Sequence, residues 1–451
     1  MELALALTLT VAAAFVLKIK RVHAHKLSHQ DTTAHCYRIF AQPFCDKAVH
    51  FYNKLKYFPR NMLETLYLVL KDDLVYYPPV LSILHVCAEA GRPVVFIGNY
   101  ADDEGRRRLE AAGVTFCPVV RLSDHAPLWR KLAEKLRFRR QVYKYLRMLG
   151  AGSQSRVWLF HSETLCLLHR LTDHHRVIFH PLEFTHPVAD WKYRLLSPSL
   201  NLARAVRKVH RVVCCEYNRA QLTRGVFALD RLPAVLPNKL YVPGTDDDIP
   251  LPTDVQQTLD DLLPRLAGKR VILYQGVFLS CERRLEEFCE AVRSMPSEYV
   301  LVAMGRGSDY YDDLRSRYAS ERVLFVPFIR PPHHLQVTRQ ASIGVLSYFP
   351  DPSSLAAVIN PLYCAPNKIF EYARYGVPMI SNDIPGLYYL FMQYGCGEVV
   401  PSPMSPAAIR HTIEHIYDHY DRYAACAKAY YNSVDIKRLI NEVLEERPVE
   451  R

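Results

Sequence analysis

Glycine is scarce in this chain, with 17 residues against 30 prolines in a total of 451. That imbalance excludes long flexible linkers and predicts many turns of defined geometry. Twelve cysteines are present, but none forms a C-x-x-C pair and none has zinc-ligand spacing, which removes dithiol redox and zinc chemistry from the reading. Cys214 and Cys215 adjoin within an apolar, strand-like run, so buried free thiols in a reducing compartment are expected. No zinc finger, RNP signature or clamping G-x-x-G is found, and a nucleic-acid partner is not expected. The opening sequence lacks a basic n-region and an A-x-A site, which fits a cleaved signal peptide poorly.

The net charge of +11 is unevenly spread. Residues 1–150 hold 23 Lys+Arg and 13 Asp+Glu, so 23 − 13 = +10 of the excess lies in the first third. A basic face confined to one region points to an anionic surface. Leu3 to Leu17 is an uncharged run of 15 residues followed by Lys18, Lys20, Arg21 and Lys26. As a helix it spans about 22 Å, short of the ~30 Å hydrocarbon core, although snorkelling lysines extend it to Val22. Two readings fit: a membrane anchor over 3–22 that leaves the rest cytoplasmic, or a buried element of a globular domain. Residues 28–70 read as a helical, aromatic-rich lead-in. A second candidate surface is the basic amphipathic helix over 127–149. It carries eight bases and only Glu134 as an acid between Arg130 and Arg147, with Leu128, Leu132, Leu136, Tyr143 and Leu146 on one face and Trp129 beside them. Docking on an anionic membrane and a solvated face on a core-packed helix both fit.

From Leu74 onward, strand-like and helix-like runs alternate: strands at 74–77, 94–97, 114–119, 157–160, 177–179, 211–215 and 234–237. A proline- and aspartate-rich stretch, 238–255, reads as a linker. A second series follows, with strands at 270–274, 299–304, 323–326, 343–346, 379–380 and 398–400, closed by helices over 405–423 and 434–444. This order predicts an α/β protein of two Rossmann-like, doubly wound domains (71–240 and 256–403) facing a cleft, with an N-terminal extension (1–70) and closing helices (404–451).

The most informative stretch is Cys364–Gly386. Pro366 and Asn367 open a short helix, with Asn367 expected as its N-cap. Gly376 ends the helix in the left-handed conformation, Pro378 forbids continuation, and 382–386 reads as a turn. Lys368 and Glu371 then lie in or near a first turn whose free N–H groups attract phosphate. A cation and helix end for a diphosphate, with an acid for a ribose diol, suits a nucleotide-sugar.

Three motifs together, V-I-L-Y-Q-G-V-F-L-S-C-E-R-R, Y-V-L-V-A-M-G-R-G and A-P-N-K-I-F-E-Y-A-R-Y-G-V-P-M-I-S-N-D-I-P-G, resemble the C-terminal domain of GT-B glycosyltransferases. The likeness is to family 4 and its relatives in bacterial surface-polysaccharide synthesis, and it covers about 270–400. The N-terminal domain matches in layout and in V-L-P-N at 235–238. The resemblance implies a nucleotide-sugar donor held by the C-terminal domain and a glycan or lipid-linked acceptor held by the N-terminal one. It implies Glu371 as the ribose-binding acid, Lys368 and Arg283 as diphosphate partners, and Gly276 as the glycine that admits the phosphate. Asn367 at the helix start and Gly305 of G-R-G join the donor-side candidates. Tyr363 stands where the family often has a second glutamate, and Val277 where it often has an arginine.

On the acceptor side His161 and Glu183 follow predicted strands, placed to orient or deprotonate an acceptor hydroxyl. For both, a satisfied polar residue at a strand end is the plain alternative, and for Glu371 the alternative is a surface pair with Arg374. Asp246-Asp247-Asp248 contains D-x-D, but its linker setting reads as a solvated turn, and neither metal nor cofactor is expected. His174-His175 and His333-His334 point apart in an extended chain and are not read as ligands. The expectation is therefore a membrane-associated, metal-independent glycosyltransferase on the cytoplasmic side. A nucleotide-sugar epimerase of the same fold and a non-catalytic scaffold are the rivals.

Overall fold

The computed structural model describes residues 65–123, 126–244 and 251–445. The run 3–22, the lead-in up to residue 64 and Asp246-Asp247-Asp248 lie outside the described residues. Seven parallel strands make the first sheet: β1 (Leu66–Asp73), β2 (Val94–Asn99), β3 (Val114–Cys117), β4 (Arg156–Phe160), β5 (Arg176–His180), β6 (Arg211–Cys214) and β7 (Ala234–Val235), in the order β3-β2-β1-β4-β5-β6-β7. Six parallel strands make the second: β8 (Arg270–Val277), β9 (Tyr299–Arg306), β10 (Val323–Pro327), β11 (Ile343–Leu346), β12 (Met379–Asn382) and β13 (Gly397–Val400), in the order β10-β9-β8-β11-β12-β13. Strands such as Val-Val-Phe-Ile and Val-Trp-Leu-Phe are apolar on both faces because helices cover both sides of each sheet. In each sheet the winding direction reverses once, between β1 and β4 and between β8 and β11. Ligands of doubly wound sheets bind outside the carboxyl ends of the strands at such a reversal.

The element pattern read from sequence recurs, with one central strand displaced. Leu74–Tyr76 is a 3-10 turn, not a strand, and Leu66–Asp73, which begins inside the expected lead-in and runs past its end, is β1. The Asp73 carboxylate accepts from the Val75 N–H at 3.2 Å and ends the strand. Pro78 then starts the helix Pro78–Glu89, whose first turn has no need of a donor there. The basic helix spans Leu128–Met148 and buries Phe138, Val142 and Leu146, an i, i+4, i+8 row, against the first sheet. The face centred on Leu128 and Leu132 is not the core face, and Leu128 and Trp129 are 45% and 71% exposed.

The final helix, Ile436–Glu445, returns to the first lobe. Ile436, Ile440, Val443 and Leu444 join the core formed by Leu66, Leu68, Val80 and Trp158. Arg211 Nη1 donates to the carbonyls of Glu442 and Val443 at 2.7 and 3.0 Å. No helix among the described residues is long and apolar enough to cross a membrane.

Candidate active site

Two clusters face each other at the two winding reversals. In the second lobe, β8 ends in Gln275-Gly276-Val277. The helix Asn367–Arg374 approaches it because Cys364-Ala365-Pro366 turns the chain. Pro366, not Asn367, is the N-cap, and Asn367 is the first helical residue. The helix ends as expected at Gly376 (φ +68°), with N–H groups of Gly376 and Val377 donating back to Ala373 and Tyr372. Residues 382–386 do not form an isolated turn: Pro385 begins the helix Pro385–Tyr394.

Glu371 is buried. Gln275 Nε2 donates to its Oε2 at 2.6 Å, and His334 Nε2 stands 3.2 Å from its Oε1. Thr338 Oγ1 donates to Gln275 Oε1 at 2.8 Å. Burial pushes the Glu371 carboxyl up, but His334, Gln275 and Lys368 together outweigh it and hold it below the ordinary value. Its oxygens therefore face Gln275 and His334 and not Arg374. Lys368 Nζ is buried without a hydrogen-bond partner. It lies 4.3 Å from the Tyr274 ring centre and 5.3 Å from that of Tyr348. Burial, and then the charge of Arg283, pull its pKa down to about 7. The Arg283 guanidinium stacks 4.1 Å over Tyr348, and its Nη1 donates to the Glu282 carbonyl at 2.9 Å. Arg283 lies just before the helix Glu286–Ser294.

Gly276 adopts φ +142°, and a Cβ there would meet Lys368 Cε and Nζ at 2.9 Å. Gly305 has a packing reason: a Cβ on it would stand 1.9 Å from the Gly276 carbonyl oxygen, its partner across β8 and β9. Tyr363 is not brought to this cluster. It caps the helix Leu355–Leu362 and lines a separate hollow with Asn218, Gln221 and Leu222.

In the first lobe a cavity of about 430 Å³ is lined by Asp72, Tyr77, His161, Glu163 and Glu183, with Asn367 reaching it from the second lobe. His161 follows β4 at φ +68° and ψ +146°, a conformation that costs a side-chain-bearing residue about 1–3 kcal/mol. Its Nε2 lies 3.5 Å from Asp72 Oδ2, and Tyr77 packs edge-on against its ring at 4.9 Å. Tyr77 OH donates to Asp72 Oδ2 at 3.2 Å. Lys71 Nζ bridges Asp72 and Glu163 at 3.0 and 3.1 Å. Burial lowers the His161 pKa, against the opposing pull of Asp72, so the ring is neutral near pH 7.

The structure thus gathers Gly276, Arg283, Lys368 and Glu371 on one side, and His161, Glu183 and Asn367 on the other. Sequence reasoning missed Gln275, His334, Thr338 and Asp72. Gln275 carried a signal, a polar residue closing an apolar run, and His334 is a partner of Glu371. Among the described residues no group of three or more His, Cys, Asp or Glu is placed to hold a metal ion.

The chain matches no protein-family model, and no curated protein matches it significantly. Solved structures do resemble it. Anabaena HepE, determined with UDP and glucose, superposes with a TM-score of 0.58 at 13% identity, over 85% of this chain and 99% of that one. Sucrose-phosphate synthase from Thermosynechococcus elongatus gives 0.57 at 15%, over 85% and 96%. WaaG, a glycosyltransferase involved in lipopolysaccharide biosynthesis, gives 0.54 at 13%, over 85% and 100%. The fold is therefore the GT-B fold, two Rossmann-like lobes with their strand ends turned to a common cleft.

Proposed function

We propose that this chain is a glycosyltransferase that moves a sugar from a nucleotide-sugar donor to a glycan or lipid-linked acceptor, in surface-polysaccharide or glycoconjugate synthesis. The observation that carries the reading is Lys368: a buried ammonium with no hydrogen-bond partner, against Gly276 at the carboxyl end of β8 and close to Arg283. Burying such a group costs free energy that an anion repays. Sugar transfer expels a nucleoside diphosphate, and two cations fixed beside it stabilise the charge that develops on its leaving oxygen. In this reading Lys368 and Arg283 do what a divalent metal does elsewhere, and the transfer needs no metal. Glu371, oriented by Gln275 and His334, receives the ribose. Across the cavity neutral His161, backed by Asp72, orients the acceptor hydroxyl or takes its proton, and Glu183 joins it.

The second part of the proposal is an anionic membrane surface as the place of work. The helix Leu128–Met148 supports it with its bases and its exposed Leu128 and Trp129. The adjacent helix Trp191–Leu196 exposes Trp191 and Leu195 by 56% and 59%. Lys135 Nζ donates to Tyr193 OH at 3.0 Å and Arg139 Nη1 to the Leu196 carbonyl at 3.0 Å, which ties the two helices together.

A thermal-shift panel of UDP, GDP, ADP and their sugars tests the donor half. One nucleotide is expected to raise Tm in the wild type and not in Lys368→Ala. Product analysis with that donor then reads transfer, and a panel with no shift at all rejects the proposal.

A further inference from the structure

The two clusters belong to different lobes, yet one buried side chain grips the backbone beside each. Arg219 lies in the first turn of the helix Tyr217–Phe227, where Glu216 caps the N–H groups of Asn218 and Arg219. It is 7% exposed. Its Nε donates to the carbonyl of Tyr363 at 2.6 Å, Nη2 to that of Asn360 at 2.8 Å, and Nη1 to that of Leu182 at 3.1 Å. These three acceptors are neutral carbonyls, and Nη1 also donates to Cys215 Sγ at 3.4 Å. For packing alone an apolar residue would serve without the desolvation cost of a guanidinium. What the planar fork supplies is geometry, three donors in fixed directions.

Two further bonds run alongside. The Phe184 N–H donates to Asn360 Oδ1 at 2.7 Å, and Asn238 Nδ2 donates to the Ala365 carbonyl at 2.7 Å. The segment 360–365 thus turns the carbonyls of Asn360, Tyr363 and Ala365 towards the first lobe, and it leads directly into Asn367 and Lys368. On the other side Leu182, held at φ +65°, precedes Glu183 and Phe184 in the cavity wall.

We infer that Arg219 is a positioning residue: through Leu182 and through Asn360 and Tyr363 it locks the loop that presents Glu183 to the segment that carries Lys368. The two halves of the site hold their relative geometry only while this bridge is made. The coupling stands on the hydrogen bonds; its effect on turnover rests on the glycosyltransferase reading.

Hydrogen exchange on the full chain tests the coupling without any substrate. Arg219→Lys keeps the charge and loses the fork, and Asn360→Ala removes the acceptor of Phe184. Each is expected to raise exchange at least tenfold in both 182–184 and 360–366, with β1–β13 unchanged. The double variant is expected to exchange no faster than the quicker single one. Loosening confined to the substituted side, or additive effects in the double variant, overturns the inference. With the donor found by the nucleotide panel, Arg219→Lys is expected to lower kcat at least tenfold while the donor KM stays within twofold. An unchanged kcat, or a change in KM alone, also overturns it. A wild type that binds no nucleotide rejects the glycosyltransferase reading, and the exchange data still decide the coupling.

Discussion

Lys368 occupies the space that a side chain on residue 276 would need: a Cβ on Gly276 would stand 2.9 Å from both Cε and Nζ of the lysine. Gly276→Ala is therefore expected to displace the ammonium and to strain a backbone held at φ +142°. The expected result is at least a tenfold loss of nucleotide affinity by calorimetry, with a fall in stability of about 1 kcal/mol. Unchanged affinity would mean that Gly276 does not set the position of Lys368.

The depressed pKa of Lys368, about 7, has two consequences of opposite sign. Between pH 7 and the ordinary lysine value the unfolded chain holds more protons than the native one, so this group makes the unliganded protein more stable as pH rises. A diphosphate needs the charged form, so nucleotide affinity is expected to fall with pH above 7 and binding at pH 8 to take up protons. Calorimetry in two buffers of different ionisation enthalpy measures that uptake. Lys368→Met is expected to raise Tm, by about 1 kcal/mol of stability, and to abolish binding.

Glu371 behaves in the other sense. Its carboxyl is held below the ordinary value, so its contribution is complete above the unfolded pKa near 4.5 and is lost as pH falls through the folded one. Glu371→Ala strands Gln275 and His334 and is expected to cost about 1–3 kcal/mol. Urea titration at pH 7 and pH 4 reads both effects; a variant as stable as wild type at pH 7 contradicts the assignment.

His161 sits in a backbone conformation suited to glycine. His161→Gly relieves that strain and is expected to raise stability by about 1 kcal/mol or more, while transfer falls at least a hundredfold. Equal activity would leave the ring without a role.

Membrane docking can be read from fluorescence, because of the three tryptophans Trp158 is fully buried while Trp129 and Trp191 are 71% and 56% exposed. Anionic vesicles carrying brominated lipid are expected to quench the wild type and not Trp129→Phe/Trp191→Phe. Sedimentation with vesicles in the absence of quenching would assign membrane attachment to another part of the chain.

The strands of both sheets were legible because parallel strands covered on both faces are short apolar runs bounded by breakers. β1 was not. Leu66–Leu70 continues a stretch whose spacing also fits a helix, and only its partners β2 and β4, from 94 and 156 onward, decide between the two. The site divides the same way. Lys368, Glu371 and Gly276 lie in local motifs, which is how the sequence offered them as candidates. Gln275 and His334 reach Glu371 from far away in the chain, and no local pattern marks that meeting. Tyr363 shows the reverse case: motif spacing offered it as a donor-side candidate, and in the fold its carbonyl meets Arg219, a contact that no local pattern marks.

The helix Ile436–Glu445 makes the order of synthesis differ from the order of completion. Its apolar row closes the core around β1, and its carbonyls satisfy Arg211. The lobe that leaves the ribosome first therefore waits for this helix before the part of its sheet face left open by the helix Pro78–Glu89 is covered. During that interval the surface that Ile436, Ile440, Val443 and Leu444 will cover is open to solvent or to a chaperone.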